Sequence, residues 1–161
     1  MKTSAIKGFC FGLTSGTITT LGMIVGLNSG TGSRAVVLGG ILSIAIADSF
    51  SDALGIHVSE ESDRNKSHRE VWASTFSTFF SKLIFASTFM IPVLIFDLSQ
   101  AIIISIAWGL IILGILSYGI ARSQKTNPLM VIGEHISIAI LVIILTHYTG
   151  HFIYNTFGFE G

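Results

Sequence analysis

The chain has 161 residues, of which 50% are hydrophobic and 11% charged, with zero formal net charge and a mean hydropathy of +0.75. A water-soluble domain needs a polar surface that this composition does not supply, so a lipid bilayer is the expected surrounding. Zero net charge without a basic cluster also argues against a nucleic-acid partner, because neutralising phosphates takes many Lys and Arg.

A helix that crosses a bilayer needs roughly 20 mostly apolar residues. Five such stretches are predicted, at about 5–27, 35–58, 71–96, 100–121 and 130–157. The fold class expected is therefore an all-α integral membrane protein, a bundle of five transmembrane helices in a single domain over 1–161. The first stretch is too long and too polar for a signal-peptide core. It is predicted to end at the turn formers Asn28-Ser29-Gly30-Thr31-Gly32-Ser33. Along it, Gly8, Gly12, Ser15, Thr19, Gly22 and Gly26 recur three or four residues apart and make one continuous helix face. Gly8, Gly12 and Gly16 form consecutive GxxxG patterns, which let two helix backbones approach closely. Such a face serves as a packing seam, as a pathway lined by hydroxyls and backbone, or as both. The lone Cys10 has no intrachain disulfide partner and reads as packing.

The second span carries Asp48 and Asp52 four residues apart, hence on one helix face. A charge at the centre of a spanning helix costs roughly 2.5 to 3.5 kcal/mol on insertion scales, so two carboxylates need a partner, a watery cavity, a cation or protonation. Oxygen ligands of this kind suit Ca²⁺, Mg²⁺ and Mn²⁺. Lys82, near the middle of the third span, is the candidate to neutralise one acid, and Asp48 lies at the more similar depth. One lysine cannot neutralise both. His57, Glu60 and Glu61 fall where the second helix leaves the membrane, either gathering cations at its mouth or simply solvated. The run Asp63 to Glu70 lies outside the membrane. Trp72 then fits an interfacial anchor, and Pro92 is expected to kink the far end of the third span.

In the fifth span Pro128 suits the first helical turn. Glu134 and His135 follow at about the depth of Asp52, either completing a site or sitting at headgroup level. His147 and His151, four residues apart near the other end, have a spacing that can chelate a metal or carry protons, or are interfacial residues. Basic residues sort by side: Lys2, Lys7, Arg64, Lys66, Arg69, Arg122 and Lys125 share one, and only Arg34 lies on the other. That asymmetry predicts a cytoplasmic N-terminus and a C-terminus on the opposite side. No phosphate loop, serine nucleophile motif or structural zinc spacing is present, so neither enzyme activity nor a permanently bound cofactor is expected.

Gly12 to Leu27, GLTSGTITTLGMIVGL, followed in the second span by Ser51 to Ser59, SDALGIHVS, resembles the vacuolar iron transporter family of divalent-metal transporters. Ile91-Pro92, Asn127-Pro128, Gly133 and Tyr148-x-Gly150 continue the similarity in order. The resemblance implies a homodimer of five-helix protomers, with a metal path between the first and second helices near the two-fold axis, coupled to proton exchange. The chain departs from the family pattern at the metal residues: Ser15 replaces an Asp, Asp52 a Met and Ile56 a Glu. A carboxylate in place of a thioether suggests a relocated, oxygen-rich site suited to Mn²⁺, Mg²⁺ or another hard cation. The family's large metal-collecting insertion is also missing; Glu60, Glu61, Asp63 and His68 are what remains of it. The function expected is export of a divalent metal cation across a prokaryotic cell membrane or an organelle membrane. Asp48, Asp52, Ser15, Glu134, Glu60 and Glu61 are the candidate metal residues, and Thr14, Thr19, Ser51, Lys82 and His135 the pathway or supporting ones. The alternative is a non-transporting membrane scaffold or assembly subunit whose acids are structurally neutralised.

Overall fold

The computed structural model describes residues 2–158. Its helices, in chain order, are α1 (Lys2–Thr31), α2 (Arg34–Glu61), α3 (His68–Thr88), α4 (Met90–Ile95), α5 (Leu98–Gln124) and α6 (Pro128–Phe157). The described residues contain no strand. With α3 and α4 taken together, five helical segments are long and apolar enough to cross a membrane.

Local chemistry explains most boundaries. Asn127 caps α6 by accepting the Leu129 N–H at 3.0 Å, with Pro128 at a position where no intrahelical N–H is needed. Ser67 and Glu70 form a reciprocal cap at the start of α3, the Ser67 N–H donating to the Glu70 carboxylate at 3.1 Å. The third span is interrupted at Phe89, just before Pro92, whose ring has no N–H to offer the Thr88 carbonyl. One expectation is corrected: α1 does not stop at Asn28 but runs through Asn28-Ser29-Gly30 to Thr31, leaving a two-residue connection of Gly32 and Ser33. Tertiary packing overrides the turn propensity there. A Cβ on Gly150 of α6 would collide with the Gly26 carbonyl, so the two helices are in backbone contact along that last stretch of α1. Gly32, at φ +58°, then reverses the chain in the left-handed region.

The centre of the bundle is α1, which packs against α3, α6, α2 and α5. Leu21, Ile24, Val37, Ile41, Phe89 and Val93 form an apolar core toward the α1–α2 connection. Outward-facing positions are apolar too: Phe50, Ile103, Ile115 and Leu129 are all exposed. Water does not tolerate an exterior of this kind, whereas hydrocarbon does. The small-residue face of α1 is shared between two partners. Gly8, Gly12 and Gly16 lie against α3, where added Cβ atoms would strike the Ser74 carbonyl, the Thr78 carbonyl and the Lys82 stem. Gly22, Gly26 and Gly30 face Val142, Thr146 and Gly150 of α6. A straight helix rotates its small-residue stripe gradually about its axis, and two neighbours share the turn. Both seams are thus spent on contacts within the chain.

Candidate functional site: one ammonium between two carboxylates

Three helices converge on Lys82. Its side chain leaves α3 across Gly16 of α1, where a Cβ would lie only 3.1 Å from Lys82 Cγ, so the glycine provides the corridor for the lysine stem. Lys82 is fully buried. Its Nζ lies 2.5 Å from Oδ2 of Asp52 and donates to Oγ of Ser15 at 2.9 Å. Oδ2 of Asp48 is also 2.5 Å away, as an ion pair. Sequence spacing suggested that the lysine would satisfy one acid; it lies between the two. With both acids ionised the cluster carries one net negative charge. The cluster is not sealed, since the Asp48 and Asp52 side chains are 28% and 19% exposed.

The other sequence candidates are arranged differently. Thr19 donates to the Ser15 carbonyl at 2.8 Å, a helix-internal bond, and Thr14 is half-buried on α1. Ser51 is exposed on α2 beside Asp52. Glu134 is exposed on α6, which packs chiefly on α1 and α5 and not beside Asp52, while His135 shares a 2.7 Å hydrogen bond with Ser117 of α5. Glu60 turns inward, ion-paired with Lys7 and with Lys66, the latter at 3.3 Å. Glu61 is exposed, with His57 Nε2 at 4.0 Å from its Oε2, and His57 Nδ1 is 2.9 Å from Thr75 Oγ1. His147 bonds Ser29 Oγ at 2.7 Å, and its ring lies parallel to that of His151 with centroids 6.5 Å apart, so the pair does not converge on a point. Among the described residues no group of three or more His, Cys, Asp and Glu side chains is placed to hold a metal ion.

The contacts made by Ser15 and Lys7 had no signature in spacing. Ser15 becomes a ligand of Lys82 because Gly16 beside it admits the lysine, and a glycine opposite a buried cation is a weak but usable signal. The Lys7–Glu60–Lys66 cluster joins residues far apart in sequence and requires the bundle geometry. No known family model matches the chain, and no characterised protein matches it either.

Proposed function

We propose that the chain is a multi-pass membrane transporter that moves a divalent cation out of the cytoplasm, with its N-terminus on the cytoplasmic side. The observation that supports this best is the imbalance around Lys82: two carboxylates share one ammonium in the middle of candidate spanning segments, and both acids are partly exposed. A purely structural ion pair would need only one acid, and the second costs roughly 2.5 to 3.5 kcal/mol to keep there. Retaining it creates a cation-attracting point lined by hard oxygen donors. In this reading Lys82 is a tethered cation that fills the site between cargoes, and an incoming metal displaces the ammonium from Asp48 and Asp52. Carboxylates bind metal only in their deprotonated form, so protons and metal compete, which gives a route to exchange. A homodimer, implied by the family resemblance, needs a surface other than the α1 glycines. The exposed small residues Gly39, Ser43, Ala47, Ser51 and Gly55 on α2, beside the two acids, offer close backbone approach to a second copy.

One observation favours the scaffold reading: Lys82 touches both acids, and no third His, Cys, Asp or Glu joins them among the described residues. Cation flux into liposomes separates the two. With Mn²⁺, Fe²⁺, Mg²⁺ and Ca²⁺ tested with and without a pH gradient, a transporter shows flux for at least one ion and loses it in Asp52→Asn. No flux for any ion, with no change of melting temperature on adding metal, establishes the scaffold.

A further inference from the structure

A large cavity among the described residues has no part in this site. It is a groove of about 930 Å³ between α1 and α5, floored by Phe85 of α3, at the upper end of the roughly 300–1,000 Å³ common for small-molecule sites. Its shape follows from one contact. Toward the α1–α2 connection the two helices touch so closely that a Cβ on Gly109 would collide with Leu21. From there they splay apart toward the end where Lys7 and Gln124 lie, and no side chain of the bundle fills the wedge. Phe9, Leu13, Trp108 and Ile115 make its walls apolar along most of the length.

The open end has a different chemistry. Thr3, Lys7, Ser123 and Gln124 line it, and Lys2, Arg122 and Lys125 adjoin those residues in sequence. Neither α1 nor α5 contains a single acidic residue. Lys7 is paired with Glu60, but Glu60 is shared with Lys66, so that cluster remains net positive, and the Lys7 side chain is 57% exposed. An apolar slot that ends at a half-exposed lysine of a net-positive cluster, with hydroxyl and amide donors and further basic residues adjoining in sequence, matches an amphiphile with a hydrocarbon tail and an anionic head.

We propose that the α1–α5 groove binds one anionic phospholipid, an acyl chain lying along Phe9, Leu13 and Trp108 and the phosphate meeting Lys7 and the cations beside it. Charge separates this from ordinary solvation by lipid: several basic residues near one headgroup favour an anionic one, so a zwitterionic lipid of equal chain length is held roughly tenfold or more less tightly. Gly119 gives a clean probe. It lines the groove, and a Cβ there meets nothing within 4 Å, so the side chain of Gly119→Leu starts into open space and occupies part of the slot. Cys10, the chain's single cysteine, also lines the groove and reports its occupancy.

The test is native mass spectrometry and thermal unfolding of the full chain in detergent, titrated with phosphatidylglycerol or with phosphatidylcholine of the same acyl chains, alongside maleimide labelling of Cys10. The expected result is one retained phosphatidylglycerol per chain, a higher melting temperature than with phosphatidylcholine, and slower Cys10 labelling. Gly119→Leu is expected to lose the retained lipid and the shift while melting like wild type without lipid. Equal retention of the two lipids, or retention unchanged in Gly119→Leu, overturns the proposal. Should Gly119→Leu not fold, wild-type Cys10 labelling that is equally fast in both lipids overturns it as well.

Discussion

Replacing Lys82 with methionine preserves most of the buried stem while deleting the one ammonium between Asp48 and Asp52. Breaking a buried ion pair by removing one partner costs about 3–5 kcal/mol, because the other charge stays buried. Here two acids lose their counter-charge together, and the expected cost is that of a broken buried pair, about 3–5 kcal/mol. For a chain of this size that is a fall in Tm of roughly 6–20 °C. Thermal unfolding in detergent, followed by the fluorescence of Trp72 and Trp108, measures it. The mechanism makes a second, stronger demand: Lys82→Met combined with Asp48→Asn and Asp52→Asn should recover most of the loss, since no net charge is then left buried. If Lys82→Met melts with the wild type, or the triple variant is no better than the single one, the electrostatic account of the cluster is wrong.

Two glycine substitutions should differ in sign. Gly12→Ala pushes a methyl into Ser81 and the Thr78 carbonyl and is expected to cost about 1–3 kcal/mol, whereas Gly133→Ala meets nothing within 4 Å and removes a helix-weakening glycine, a gain of up to about 1 kcal/mol. Paired melting curves decide it, and equal shifts would contradict the seam. Asp52→Asn, the variant that abolishes flux in the transport reading, should stay folded and keep Tm within a few degrees of wild type, because Lys82 retains Asp48; aggregation in detergent would show that Asp52 is needed for folding instead.

The helices and their apolar exterior were legible because length and hydropathy act locally, and Asn127-Pro128 marked the start of α6 by an equally local rule. The extension of α1 through Asn28 and Gly30 was not, since it depends on Gly150 from the far end of the chain. The acids of the candidate site were legible as charges in an apolar run, and Lys82 as the candidate partner of one of them, Asp48 first. Its place between the two was not, because that depends on how α3 is rotated against α1, which the glycines at positions 8, 12 and 16 settle only once the neighbour is known. Glu134 shows the limit of depth as a guide: residues at matching depth meet only if their helices are neighbours, and α6 packs chiefly on α1 and α5.

Pairing acids on α2 with a lysine on α3 also has a consequence for biosynthesis. The chain emerges from its N-terminus, so α2 must partition into lipid while Lys82, thirty residues beyond Asp52, is still being made. Two carboxylates at roughly 2.5–3.5 kcal/mol each make α2 a poor membrane segment by itself. If the helices are threaded into a membrane, insertion of α2 is therefore expected to depend on α3, the two entering as a hairpin. Truncated chains with a glycosylation reporter should show α2 integrating fully only when the chain extends past Lys82, and Lys82→Met should remove that gain. The same ammonium that poises the mature site would then serve earlier as the group that keeps α2 in the membrane.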